Sequence, residues 1–292
     1  VSNPSETIER VSQEMGTCFV SCRRLDSPGS FAVRDRDVVP IASMYKVLVA
    51  LEVADAFASG ALLPSARVTV GAEQHSVGGL GMNEFAHPVE ISLVDLLYLS
   101  LAWSDNTASD LLLSYVGLDA LHARARALEL ETMQVVGGCR TLLRNAGEDF
   151  GYLTETAAAA ADWDPPTDTA DLKLNRTTRA SMADLVQLGS LLASEQAAQP
   201  DACRVVSDLM TRQISKSRFA AAFPDDSWTR ISKTGTLAPW RGEFGLLTRN
   251  DGAQLALAVV LRQHHAATPD AIVDQAIADV ARSAVAVIVD ND

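Results

Sequence analysis

The stretch "PIASMYKVLVALEVADAF", residues 40–57, sets a serine and a lysine three positions apart at the head of a largely apolar run. If a helix begins at or just before Ser43, then Ser43 and Lys46 share one face, one turn apart, where backbone N–H groups are still free. The chain has only four lysines among its 24 basic residues, and one of them opens this segment. A cation in such surroundings is held there by something. A serine hydroxyl becomes a nucleophile when a neighbour takes its proton. A lysine can take that proton only when neutral, a state favoured by burial or by a second nearby cation. Ser-x-x-Lys by itself is a weak signal, because most such pairs lie on solvated helix faces.

Strand-like segments flank this run on the N-terminal side: TCFVSCRR (17–24) and SFAVR (30–34), with the turn formers DSPGS between them. The middle of the chain reads as helices, from the 3.6-residue spacing of apolar positions in 91–103, 107–116, 118–130 and 181–194. Strands return at 229–235, 243–249 and 254–261, the last two joined by the hairpin signal NDG (250–252). A final helix follows a proline near 269. Strands at both ends around a helical middle predict an α/β fold. Its antiparallel sheet is built from residues 1–38 and 213–292, with an inserted helical domain over 39–212. A cleft between the two is a natural place for chemistry. Within 140–176, TETAAAAADW reads as a helix and DPPTDT as an irregular loop. There is no internal repeat.

Composition narrows the function. The chain has 292 residues, 48% hydrophobic and 21% charged, which suits a large globular core. A net charge of -13 opposes nucleic acid and anionic membrane surfaces alike. The polar N-terminus lacks the parts of a secretory signal, and no run reaches the ~20 apolar residues of a membrane span. Cys18, Cys22, Cys139 and Cys203 form no disulfide framework and are expected as buried, reduced thiols, which together with the N-terminus suggests a cytoplasmic protein. His75, His87, His122 and the adjacent His264 and His265 make no zinc pattern, so neither metal nor cofactor is indicated. The oligomeric state is left open.

Two further stretches change the weight of Ser43 and Lys46. Ser104-Asp105-Asn106 stands in "WSDNTASDLLL" at a helix junction, and Lys233-Thr234-Gly235 stands in "ISKTGTLAPWRGEFG" on a strand. S-x-x-K, S-D-N and K-T-G occur in the order found in class A β-lactamases and penicillin-binding proteins. The chain resembles that superfamily over about residues 38–262, including the helical run through S-D-N and the segment TTRASM (177–182).

The resemblance implies a role for each residue. Ser43 would be the nucleophile and Lys46 its proton acceptor. Ser104 would relay the proton to the leaving group, with Lys233 close enough to lower its pKa and that of Lys46. Asp105 is read as structural, bonding backbone N–H groups. Asn106 would offer its amide to Lys46 and to a substrate side-chain carbonyl. Thr234 and Lys233 would meet a substrate carboxylate, Gly235 would let a substrate backbone approach closely, and the N–H groups of Ser43 and Thr236 would form an oxyanion hole. Arg241 would be either a carboxylate-binding arginine or a surface one.

One part of the family pattern is missing. Class A enzymes clear the acyl-enzyme with a glutamate in a Glu-x-x-Asn loop. Spacing from S-D-N puts that position near Arg140, and similarity to "KLN" (173–175) puts it at Lys173; neither is a carboxylate. Glu148, Glu155, Asp162, Asp164 and Asp168 are the available substitutes. The expectation is a β-lactamase-like serine hydrolase that acylates at Ser43 with slow or absent penicillin turnover. Its partner would be a small acyl donor: a β-lactam, ester or amide. An esterase or transacylase, or a sensor acylated once, are the alternatives.

Overall fold

The computed structural model describes residues 4–78, 80–151, 172–265 and 268–289. Helix α1 (Pro4–Glu14) leads into β1 (Gly16–Arg24) and β2 (Ser30–Val33). A short strand β3 (Val39–Pro40) precedes a 3₁₀ turn (Ala42–Tyr45) that runs straight into α2 (Lys46–Ala58). The ribbon β4 (Arg67–Val70) with β5 (Val89–Ser92) stands before α3 (Leu93–Tyr98), a π turn (Leu99–Trp103), α4 (Asn106–Val116), α5 (Leu118–Ala127) and α6 (Cys139–Asp149). Then come β6 (Arg179–Ala180), α7 (Met182–Ala193), α8 (Pro200–Thr211) and the one-turn α9 (Phe219–Ala222). The chain closes with β7 (Trp228–Leu237), β8 (Trp240–Arg249), β9 (Gln254–Gln263) and α10 (Asp270–Val289).

The expected antiparallel sheet forms from both ends of the chain, in the order β2-β1-β9-β8-β7. Both of its faces are covered, so β9 reads as an unbroken apolar run. Leu255, Leu257, Val259 and Leu261 pack with Ile8, Val11 and the apolar side of α10. Ala256, Ala258 and Val260 face the helical side, where Gly189 of α7 comes within van der Waals reach of Ala256. Small residues on that face let the helix sit close. The four cysteines are buried and unpaired, as expected.

Several elements differ from the sequence reading. Helix α1 carries only Ile8 and Val11 as buried apolar anchors, so its periodicity is faint. Ile91 and Ser92 belong to β5, and the helix expected from 91 starts at Leu93, capped by the Ser92 hydroxyl. Helix α8 went unread although Pro200 opens it and Ala202, Cys203, Val206, Leu209 and Met210 line one face. Helix α6 was hidden by its polar, glycine-containing sequence. The helix and loop read in 153–169 lie outside the described residues.

Candidate active site

Ser43 lies in the 3₁₀ turn, and Lys46 is the first residue of the α-helix that follows. Ala42, just before Ser43, holds φ 46 in the left-handed region, where a residue with a Cβ rarely stays without surrounding support. The turn rests on β7 at Gly235. A Cβ on Gly235 would lie 2.5 Å from the Ile41 carbonyl oxygen and 3.1 Å from Met44 Cγ. Glycine is therefore needed there for the approach of the serine-bearing turn. The sequence reading gave that space to a substrate backbone; the structure fills it with the protein's own chain.

Ser104 sits where the π turn ends, with φ 58 and ψ 28. Asp105 caps α4, accepting from Ala108 N at 2.8 Å and from Met82 N at 2.7 Å, which is the structural role expected of it. The abrupt turn through Ser104 aims its hydroxyl at two lysines. Lys233 Nζ lies 2.9 Å from Ser104 Oγ and donates to the Thr234 carbonyl at 3.0 Å. Lys46 Nζ donates to the Ser104 carbonyl at 2.7 Å and to Asn106 Oδ1 at 2.9 Å, with Ser104 Oγ and the Asp105 carbonyl each at 3.4 Å. Both lysines are fully buried. The three motifs thus converge: the turn carrying Ser43 touches Gly235, Lys46 holds S-D-N, and Lys233 holds Ser104.

The electrostatics follow from that burial. Lys233 is held well below a lysine's ordinary pKa, first by desolvation, then by the Lys46 ammonium and the Arg218 guanidinium, against an opposing pull from Glu243. Among the described residues, every oxygen hydrogen-bonded to the Lys46 or Lys233 side chain is a neutral carbonyl, amide or hydroxyl oxygen. A third neighbour is Cys139, whose thiol lies 3.3 Å from the Tyr45 hydroxyl. Burial raises the Cys139 pKa, and the nearby Lys46 charge acts the other way.

Other expected contacts are already taken. Asn106 gives its Oδ1 to Lys46, but its two amide hydrogens go to the Val77 and Gly78 carbonyls, each at 3.0 Å, instead of being left for a substrate. Ammonium groups only donate and carbonyls only accept, so this amide orientation is fixed by its partners. The Thr234 N–H and hydroxyl both donate to Gln213 Oε1, at 2.7 and 3.1 Å. Gln213 is backed by Glu243, a buried carboxylate that also accepts from Ser232 Oγ at 2.6 Å and Phe219 N at 2.8 Å. Thr236 is exposed on the edge strand, and its hydroxyl accepts from Arg218 Nη2 at 2.7 Å.

Arg241 is neither a free substrate arginine nor a surface one. It is buried, and it pairs with Asp274 at 3.1 Å and with Asp270. The register sets Arg241 opposite Thr236, on the face of β8 that looks toward α10, and this is why its side chain meets the aspartates of that helix. Arg218 shares Asp274, at 2.7 Å, and also donates to the Gly235 carbonyl at 3.0 Å. Sequence reasoning missed Arg218, Glu243 and Gln213. Each is a lone polar residue without a motif: strand register places Glu243, and the path of the chain between α8 and α9 brings Gln213 and Arg218 to it.

Neither register for the missing glutamate meets a carboxylate. Arg140 is exposed and donates to the His75 carbonyl at 2.7 Å, while Lys173 is exposed and pairs with Asp149 at 3.4 Å. Glu148 is engaged by Arg176 at the surface. Glu155, Asp162, Asp164 and Asp168 lie outside the described residues. The sequence of the chain matches the model of the β-lactamase enzyme family over residues 3–288. The chain belongs to the β-lactamase enzyme family. Among curated proteins it is 27% identical to the β-lactamase regulatory protein BlaB of Streptomyces cacaoi, over 87% of this chain and 90% of that one. Its fold is that of a β-lactamase from Sphaerobacter thermophilus (TM-score 0.79, 21% identity, 98% and 96% of the two chains). It is also that of PBP-A (TM-score 0.77, 18% identity, 97% and 94%). A mutant of PBP-A has been solved as an acyl-enzyme with penicillin G (TM-score 0.75, 18% identity, 97% and 94%).

Proposed function

We propose that this β-lactamase-family chain is an active-site serine acyl-transfer enzyme in which Ser43 forms an acyl-enzyme with a small ester or lactam and releases it slowly. The observation that supports the reading is the Lys46–Ser104–Lys233 constellation, in which both lysines are buried and neither bonds a carboxylate among the described residues. Ser43 Oγ attacks the acyl carbon, and its proton passes to Lys46 and onward through Ser104 to the leaving oxygen or nitrogen. Lys233, the more deprotonated the farther its pKa falls, tunes that relay. The Ser43 and Thr236 N–H groups receive the oxyanion; removing one such donor commonly costs ~10²–10³ in rate.

Release of the acyl group needs an activated water, and no carboxylate bonds to Lys46 among the described residues. Acylation is therefore expected to outrun deacylation. The test is intact-protein mass after addition of benzylpenicillin and of a p-nitrophenyl ester, followed over hours. Wild type should gain and hold an acyl mass that Ser43→Ala never gains. Turnover of a chromogenic cephalosporin at ordinary β-lactamase rates would refute slow release, and an adduct on Ser43→Ala would refute the nucleophile.

A second reading has its own support. The relative in Streptomyces cacaoi is named a regulatory protein, and a chain acylated once and held in that state would serve as a sensor. The two readings differ in the adduct's lifetime: hours favour a sensor, minutes an esterase or transacylase.

A further inference from the structure

Asn106 bonds two carbonyls of its own chain through the amide that the family pattern offers to a substrate. The chain on either side of those carbonyls is held in place. Ser76 donates through its hydroxyl to Asp110 Oδ2 at 2.7 Å and through its N–H to Thr107 Oγ1 at 2.9 Å. Arg140 Nη2 grips the His75 carbonyl at 2.7 Å, and past the turn Met82 N is held by Asp105 at 2.7 Å. Two glycines show that the sequence specifies this arrangement. A Cβ on Gly81, which holds φ +115, would lie 2.1 Å from Asp105 Oδ2, and one on Gly138 would lie 2.2 Å from Asp110 Oδ1. Side chains at either position would displace the carboxylates that anchor the stretch.

We infer that the Val77 and Gly78 carbonyls stand where a substrate amide would dock, so that Ser43 takes compact acyl donors with no acylamino arm beside the scissile carbonyl. This rests on the acyl-transfer reading above and narrows its substrate class. An incoming acylamino carbonyl has to displace one of two internal acceptors and leave it without its donor, which disfavours such substrates by about tenfold or more. A donor bearing hydrogen, alkyl or hydroxyalkyl at that carbon needs no displacement. The covalent step is the same for either donor: a bond forms from Ser43 Oγ to the acyl carbon, the ester C–O or lactam C–N bond breaks, and the serine proton ends on the leaving atom.

The experiment compares two lactams that differ only in the arm, benzylpenicillin and penicillanic acid, with p-nitrophenyl acetate as a third probe. Acylation rates at Ser43 are read by intact-protein mass, each divided by that probe's rate of hydroxide hydrolysis. On wild type, normalised acylation by penicillanic acid should exceed that by benzylpenicillin about tenfold or more. Arg140→Ala combined with Ser76→Ala should shrink the gap several-fold; if the pair does not fold, Arg140→Ala alone, altering an exposed side chain, serves. Equal or faster acylation by benzylpenicillin on wild type, or a gap unmoved in the folded variant, overturns the inference and leaves the acyl-transfer reading standing. Failure of all three probes to label Ser43 overturns that reading, and this inference with it.

Discussion

Two clusters of buried cations lie on opposite faces of the same strand and are held in opposite ways. On one face, Lys46 and Lys233 meet hydroxyl, amide and carbonyl oxygens. On the other, Arg218 and Arg241 share the carboxylate of Asp274. An arginine against a carboxylate keeps its charge and fixes a position. Lys233, which bonds no carboxylate among the described residues, has its pKa lowered by burial first, a state that the proposed acyl transfer uses and structural anchoring does not. In the proposed reading the arginine side is the frame and the lysine side the machinery.

Exchanging the two behaviours is the severest test. Lys46→Met should keep the fold and lower acylation of Ser43 by about 10²–10⁴, the usual contribution of a positioned acid–base group. Asp274→Asn should do the reverse. Arg218 would lose its paired carboxylate and Arg241 one of its two, with a loss of ~3 kcal/mol in denaturant unfolding and a smaller change in the acylation of whatever remains folded. If Lys46→Met unfolds the chain while Asp274→Asn leaves stability intact, the division between frame and machinery is wrong.

The pH dependence separates the same pair. Burial pushes the Asp274 carboxyl up, but the Arg218 guanidinium, the Ser217 hydroxyl and Arg241 outweigh it and hold it below its ordinary 3.8. Its contribution to stability is complete above that value and lost as pH falls through the lower folded one. Lys233 follows the same sign of slope in a different window, one that ends at 10.5 instead of 3.8. Its folded pKa lies well below the ordinary 10.5, so between the two values the unfolded chain holds the proton that the folded chain has released. Stability contributed by Lys233 therefore rises with pH through that window. Denaturation as pH rises toward 10.5 should show wild type gaining on Lys233→Met. A flat difference would mean that the lysine is not labile.

Gly235→Ala probes the joint between the two faces. Its Cβ would meet the Ile41 carbonyl, which is backbone and cannot swing aside. The turn bearing Ser43 must shift, costing ~1–3 kcal/mol of stability. Acylation should fall further than stability, since a displacement of ~1 Å at a reacting atom can cost ~10²-fold. A variant that keeps wild-type acylation would show that the turn does not depend on the strand for its place.

Much of the machinery was legible because its chemistry needs particular residues in a fixed order: a serine and lysine one turn apart, a serine at a helix junction, a lysine and glycine on a strand. The frame was not. Arg218 and Glu243 acquire meaning only when antiparallel register brings Thr236 and Thr234 beside them, and register is a long-range property. Arg241 differs for the same reason: the sequence does not fix the path of LAPWRG, and register puts Arg241 on the face of β8 that meets Asp270 and Asp274. Asn106 makes the expected bond with Lys46, and its amide hydrogens, expected to meet a substrate, bond the chain itself. Its second partner is a pair of main-chain carbonyls from a loop whose path glycines decide.

The smallest expected effect concerns the carboxylates that stand near the missing glutamate in sequence. Glu148 projects from α6 to a surface pair with Arg176, about half exposed. Exposed pairs contribute ~0–1 kcal/mol. Glu148→Gln should therefore shift unfolding by no more than that, and should leave the lifetime of the Ser43 adduct unchanged. A lengthened lifetime would make Glu148 the water activator. The comparison would then need a third member, a carboxylate that reaches the lysine face only once the acyl group is in place.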